Sequence, residues 1–356
     1  MSFEERSTKE CREKVSTNTF RAVRRQPLSL SQAALVKSGC LEGAAEPFPL
    51  VLSPGVDHVN LAAWAATNGD HLEKELLRHG ALLFRGFEVN GVERFEQFVR
   101  AISPELLDYR ERAAPRIELG KNIYTSTEYP AEHSIPLHHE MSYSHNWPTK
   151  IWFHCVQAAS ERGATPIADD RKVFRRIDRK IKETFMNKKV MYTRNYGEGV
   201  DLGWQEAFQT TDRALVENYC REAHTEFEWK DGERLKTRQV RQAVAVHPKT
   251  GDMVWFNHAH MFHISNVDPD VRAALLEQFS DQDLPRNAYY GDGKPIETSV
   301  LDEIRGIYEE EAVAFPWQEG DIMMLDNFLT THGREPFVGP RKIIVAMAEL
   351  YTNHDI

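Results

Sequence analysis

Ile135-Pro136-Leu137-His138-His139-Glu140-Met141-Ser142-Tyr143 sets an imidazole, His138, two residues ahead of a carboxylate, Glu140. If Leu137 to Ser142 runs extended, side chains alternate between faces, so His138 and Glu140 share one face and His139 takes the other. A third donor has to come from elsewhere, and His332 in Asp326-Asn327-Phe328-Leu329-Thr330-Thr331-His332-Gly333-Arg334 is the candidate. Two histidines and one carboxylate make the facial triad that holds non-haem iron(II) and leaves coordination positions open. A His-x-Glu triplet in a chain with 15 histidines is a weak signal alone, and surface or core histidines are its bland reading.

The bulk properties set the frame. The 356 residues are 41% hydrophobic and 28% charged, which is globular composition with room for a sizeable core. A net charge of −10 argues against general affinity for nucleic acid or anionic membrane. The densest positive run, residues 171–189, reads as a solvated helix face or as a local docking patch. Cys11, Cys40, Cys155 and Cys220 form neither a Cys-x-x-Cys pair nor a disulfide framework. With no apolar signal core at the N-terminus and no run long enough to span a membrane, a cytoplasmic location is expected.

Residues 1–40 are expected to be an N-terminal arm, and 41–356 a single domain, because both halves contribute candidate ligands. Helical spacing runs from Asn60 to a capping Gly80, and Ala81 to Phe87 reads as a buried strand. Asp169 or Asp170 is expected to cap one long helix reaching about Phe185. The second half alternates β-like runs at 190–196, 240–247 and 252–265 with helices at 213–223, 268–279 and 299–311. Two short strands, 321–326 and 342–347, flank a turn that carries His332. Strands interleaved with helices, without a Gly-x-Gly-x-x-Gly or a P-loop, favour a mainly β fold with peripheral helices, a jelly roll whose mouth lets distant strands meet at one metal.

His258-Ala259-His260, read as strand, would point both imidazoles one way and suit zinc or copper. No Gly-x-Ser-x-Gly elbow or cysteine signature supports a hydrolase. Arg341, nine residues after His332, opens an apolar strand. A buried arginine there is costly without an anion, and its fork matches a carboxylate such as that of a 2-oxo acid, an ordinary salt bridge being the alternative.

Taken in order, Leu137 to Tyr143, Gly163 to Asp169, Val254 to Asn257, Leu325 to Arg334 and Gly339-Pro340-Arg341 resemble the taurine/2,4-D dioxygenase (TauD/TfdA) family, in its natural-product branch, over roughly residues 45–352. The resemblance implies a double-stranded β-helix (jelly roll) of clavaminate synthase-like type and iron(II) on His138, Glu140 and His332. It implies 2-oxoglutarate and O2 as cosubstrates, with the distal carboxylate on Arg341 and Thr165. The short loop after His332 leaves Arg334 as the other possible clamp. Glu140, in place of the small residue of halogenating relatives, argues for oxygen rebound or desaturation over halogenation, and hydroxylation of an unactivated C–H is the expected reaction. Desaturation or epoxidation on the same scaffold, and a non-redox metal-binding jelly roll, are the alternatives.

The resemblance further implies an amino-acid-like substrate, free or tethered to a carrier protein. Carrier docking would call on the 171–189 run. Tyr124 to Tyr129, Arg194, Asn257, His258 and His260 are candidate pocket residues, with Tyr129, Asn257, His258 and His260 the preferred set. His139 is expected to face away from the metal.

Overall fold

The computed structural model describes residues 35–108, 117–126, 129–197, 202–231 and 234–353. Most of the N-terminal arm, with Cys11, and Thr127 and Glu128 of the Tyr124 to Tyr129 stretch lie outside the described residues. The body is a jelly roll built on an eight-stranded sheet. Its central strands are Ala81–Phe84, Ile322–Asp326, Asn146–Gln157 and Lys342–Thr352, in that spatial order.

These strands read as unbroken apolar runs because both faces of the sheet are covered. Alternation sorts them. Leu82, Phe84, Trp152, Ile322, Met324, Ile344 and Ala346 point into one core, while Leu83, Phe153, Met323, Leu325, Ile343 and Val345 point into another. The first core is closed by helices Leu61–Thr67, Gly69–His79 and Gly91–Ile102. Phe95 and Phe98 of the last helix are fully buried there, a gain of about 1.5–3 kcal/mol each. Gly80 ends the second helix at φ +76° as expected, its N–H on the Leu76 carbonyl.

The second core is the interior of the roll. Opposite the large sheet lies a three-stranded sheet of Ile135–His138, Thr330–Arg334 and Ile167–Asp169. Phe153 of the large sheet touches His332 of the small one, with ring centroids 5.0 Å apart. A further four-stranded sheet includes Val190–Tyr196, Arg234–Arg241 and Arg286–Tyr290.

Several local expectations are corrected. The helix expected to run unbroken from Asp169 is two, Asp170–Arg176 and Arg179–Lys188, because Asp178 caps the Lys180 amide and restarts the turn. His332 sits in a strand of its own and not in a turn. The 252–265 run is strand only at Met253–Val254 and coils into the short helix Ala259–Phe262. Five of the nine basic residues of the 171–189 run are ion-paired among the described residues. Arg171, Lys172, Arg176, Arg179 and Lys188 each pair with a carboxylate, those of Asp169, Glu46, Glu310 with Glu311, Glu183 and Asp292. No helix among the described residues is long and apolar enough to cross a membrane.

Candidate metal and cosubstrate site

His138 and His332 are direct register partners across antiparallel strands. Opposite residues hold their Cβ atoms about 4.5–5.5 Å apart, and the two rings lie accordingly 4.5 Å centroid to centroid. Gly333 allows that closeness. A Cβ there would meet the Ile135 carbonyl oxygen at 2.6 Å, so any larger residue would force the strands apart beside His332.

Glu140 arrives by a different route from the one its spacing predicts. The strand stops at His138, and Glu140 begins a turn in which Met141 takes φ +60°, a conformation that costs a non-glycine residue energy and is found where the surroundings impose it. Asn327 supplies that imposition. Its Oδ1 accepts from the Glu140 amide at 2.8 Å, while its Nδ2 donates to the Glu140 carbonyl at 2.9 Å and the Pro148 carbonyl at 2.8 Å. Clamped in this way, a Glu140 carboxylate oxygen lies 3.7 Å from His332 Nε2. One ligand atom from each of His138, Glu140 and His332 lies within 4.8 Å of the others, and among the described residues they are the sole such group.

This donor set suits ferrous iron. His138 Nδ1 lies 2.8 Å from the Pro136 carbonyl, which accepts only, so Nδ1 carries the proton and Nε2 keeps its lone pair for a metal. Two neutral-imidazole donors and one carboxylate, gathered on one side, match the composition of an open facial site. His139 points elsewhere. It is fully buried, its Nδ1 donates to the Asn327 carbonyl at 2.6 Å, and its Nε2 lies 3.4 Å from Asp170. Asp170 also accepts from the Trp255 amide and from Tyr308, and burial pushes its carboxyl above the usual range.

One cavity joins the triad to the arginines. Its lining includes His138, His332, Thr165, Arg334, Arg341 and Ser126. Arg341 donates from Nε to the Gly163 carbonyl (2.8 Å) and from Nη2 to Thr165 Oγ1 (3.2 Å). Its other three N–H groups have no protein acceptor among the described residues. Trp317 Nε1 donates to the same Thr165 oxygen at 3.1 Å. With both lone pairs taken, the Thr165 hydroxyl proton is left to donate. Burial, with Arg334 nearby, pushes the Arg341 guanidinium down to about 10, so an anion in the cavity would be favoured.

Arg334 is differently employed. Three of its N–H groups go to the carbonyls of Tyr129 (2.8 Å), Pro130 (2.6 Å) and His133 (2.7 Å), which ties that loop to the strand of His332, while its Nε is buried with no acceptor among the described residues. Tyr129 lies at the half-exposed mouth outside Arg341.

The remaining candidates divide. His258 stands beside the triad, its ring 5.4 Å from that of His138 and its Nδ1 2.6 Å from Ser142 Oγ. Burial, then the neighbouring His138, pushes it well below the usual histidine range. Asn257 and His260 do not line the triad cavity. Asn257 donates to the Ala243 carbonyl and accepts from the Ala259 amide, and His260 Nε2 donates to the Leu137 carbonyl at 2.8 Å. The rival His258/His260 pair is not assembled either. His258 precedes a helical turn, so the two rings diverge to separate partners. Nothing in the spacing of Asn327 and Trp317 reveals what they hold, and of the two candidate caps Asp169 caps the helix while Asp170 is buried against His139.

A sequence profile described as taurine catabolism dioxygenase TauD, TfdA family, matches residues 45–347. The chain belongs to the TauD/TfdA family. It is a dioxygenase, and the dependence on iron(II) and 2-oxoglutarate implied by its sequence goes with that membership. A dapdiamide synthesis protein, DdaC, of Enterobacter agglomerans is 41% identical over 310 residues, covering 85% of this chain and 93% of the relative. A clavaminate synthase-like protein of Arabidopsis thaliana is 31% identical over 323 residues, covering 85% and 94%. Among solved structures, PvcB of Pseudomonas aeruginosa, described as an Fe, alpha-ketoglutarate dependent oxygenase from an isonitrile synthetic pathway, shares the fold. It has a TM-score of 0.53 at 17% identity, over 90% of this chain and 94% of that one.

Proposed function

We propose that His138, Glu140 and His332 hold iron(II), that Arg341 and Thr165 hold the distal carboxylate of 2-oxoglutarate, and that this TauD/TfdA member hydroxylates an unactivated C–H of an amino-acid-like molecule, free or carrier-tethered, in natural-product synthesis. The observation that carries the site assignment is the single cavity lined by both the triad histidines and the Arg341/Thr165 pair. The natural-product setting is supported by the relative named for dapdiamide synthesis. Residues 41–356 act as one domain in this reading, because the ligands come from both halves of the chain.

Iron held by His138, Glu140 and His332 would supply the oxidation, in which one atom of O2 would enter succinate as 2-oxoglutarate loses carbon dioxide and the other would enter the substrate. The chain's residues prepare for it. The Pro136 carbonyl fixes the His138 tautomer, and Asn327 fixes the Glu140 backbone. Trp317 orients the Thr165 hydroxyl toward the carboxylate that Arg341 neutralises. Phe153 and Ile343 give the same cavity an apolar wall.

The test is anaerobic addition of Fe(II) and 2-oxoglutarate, followed by air. A weak visible absorption band that needs both additions, then succinate formation, is the expected result. Neither appearing would leave a non-redox metal-binding jelly roll. Screening free and carrier-bound amino acids for a gain of about 16 mass units identifies hydroxylation or epoxidation, and a loss of about 2 identifies desaturation.

A further inference from the structure

A second cavity, of about 430 Å³, opens outside Arg341. Its walls are the Tyr129 to Ala131 loop, Phe337, and Arg341, Lys342 and Ile343 at the start of the Lys342–Thr352 strand. It shares Ser126, Arg334, Arg341 and Ile343 with the cavity of the triad, but not His138, Thr165 or His332. A molecule entering by it reaches Arg341 before the metal face.

The charge of this vestibule is of one sign. Arg334, Arg341 and Lys342 line it, and among the described residues no carboxylate does. Glu132, whose charge is felt at Arg334, is an exposed residue of the loop and outside the lining. Strict alternation would send Lys342 to the face opposite Arg341 and Ile343. Instead the pairing shifts register between Lys342, opposite Gln157, and Ile343, opposite Cys155, and the irregularity brings all three residues to one cavity. Lys342 is exposed and makes no ion pair, so its ammonium is spent on nothing in the protein. A chain of net charge −10 repels a dianion at long range. A cleft of local positive charge with the apolar walls of Pro130, Phe337 and Ile343 reverses that repulsion where it matters.

We propose that this vestibule is a carboxylate-capture site, with Lys342 as its cation, through which the dicarboxylate cosubstrate enters and succinate leaves. The inference rests on the reading of Arg341 as the clamp for the distal carboxylate. An incoming 2-oxo acid passes head first toward the triad, and its trailing carboxylate moves from Lys342 to Arg341. Ser126 and Tyr129 offer hydroxyl donors along the way.

The test is stopped-flow mixing of the full chain, loaded with Fe(II) without oxygen, with 2-oxoglutarate, following the visible band of the complex. Lys342→Glu should lower the association rate constant about tenfold at about 20 mM salt and Lys342→Gln about threefold, the deficit shrinking toward about 300 mM as screening shortens the reach of the charge. The dissociation rate constant should change by less than about twofold, since steering acts on encounter. Ala131→Trp, which narrows the mouth, should slow association and dissociation together and leave Kd within about twofold, as obstruction of a route does. Lys37→Glu makes the same charge change on the exposed edge strand Val36–Gly39, five strands away across the large sheet, and should leave association at the parent's rate. Unchanged association in Lys342→Glu at every salt concentration, an equal fall in Lys37→Glu, or parental rates in Ala131→Trp would overturn the proposal. Lys342 lies on the surface, and band amplitude with dissociation rate reports any damage to the site itself. Failure of the underlying reading registers separately, as a Kd for 2-oxoglutarate that Arg341→Gln leaves unchanged.

Discussion

Two histidine-bearing stretches of this chain look alike on paper and behave differently in the fold. His138-His139-Glu140, with His332, brings three donor atoms within 4.8 Å, whereas His258-Ala259-His260, with His263, sends each ring to a separate partner. The difference lies in what occupies the ring nitrogens and in the backbone that carries them. His138 and His332 stand opposite each other in paired strands, and His138 turns its Nδ1 onto the Pro136 carbonyl. His258 and His260 flank a helical turn that separates their directions, and His260 turns its Nε2 onto the Leu137 carbonyl, serving the metal strand as a strut. Histidine content is therefore a poor guide to metal binding. Cross-strand register that sets two imidazoles side by side is a better one.

The contrast can be tested from its strongest consequence downward. His332→Ala or His138→Ala should abolish stoichiometric Fe(II) binding, read by metal analysis after gel filtration, while His260→Ala leaves it intact. If His260→Ala lost the metal as fully, the division between the two clusters would fail. Arg341→Gln should raise the Kd for 2-oxoglutarate by about 30-fold or more, since truncating one partner of a buried charge pair costs about 2–5 kcal/mol. Arg334→Gln, whose donors serve a loop, should raise it far less in the same titration. Asn327→Ala should weaken Fe(II) or Co(II) binding by about 10–100-fold through the released Glu140 backbone, measured by competition with a chelator. His139→Ala should retain the metal while lowering stability in urea by about 1–3 kcal/mol, because the Asn327 carbonyl and Asp170 lose a buried partner.

The smallest effect is on pH dependence. Burial holds His145, His260 and His263 at about 4, below the usual 6.5. The unfolded chain then takes up more protons than the folded one between those values. Stability of the metal-free protein should be fully present above about pH 6.5 and fall as the pH drops toward about 4. His260→Gln should make that acid limb shallower in urea titrations; an unchanged limb would remove His260 from the set.

Much of the fold and site was legible because it depends on local pattern. Apolar strands such as 151–156, 322–325 and 343–347 announce themselves by composition. The cap at Gly80 follows from its permissive backbone, and the His-x-Glu triplet with its distant His and Arg stands in the family's order. The exceptions share a cause. Asp178 interrupts a helix by a side-chain hydrogen bond that competes with periodicity, and Glu140 leaves the strand because Asn327, 187 residues away, holds its backbone. In the basic run 171–189 only the fold brings the carboxylates of Glu46, Asp292, Glu310 and Glu311, far off in sequence, against Lys172, Arg176 and Lys188.

The sequence by itself determined the family, the jelly roll and the kinds of donor available, since those depend on residue type and order. Only the tertiary structure decided which histidines converge and how Arg334 and Arg341 divide their donors between a loop and the cavity beside the triad. The physical reason is that a coordination site or a carboxylate clamp is a matter of distances of a few ångströms between residues far apart along the chain. Strand register and buried hydrogen bonds set those distances, and neither can be read from spacing.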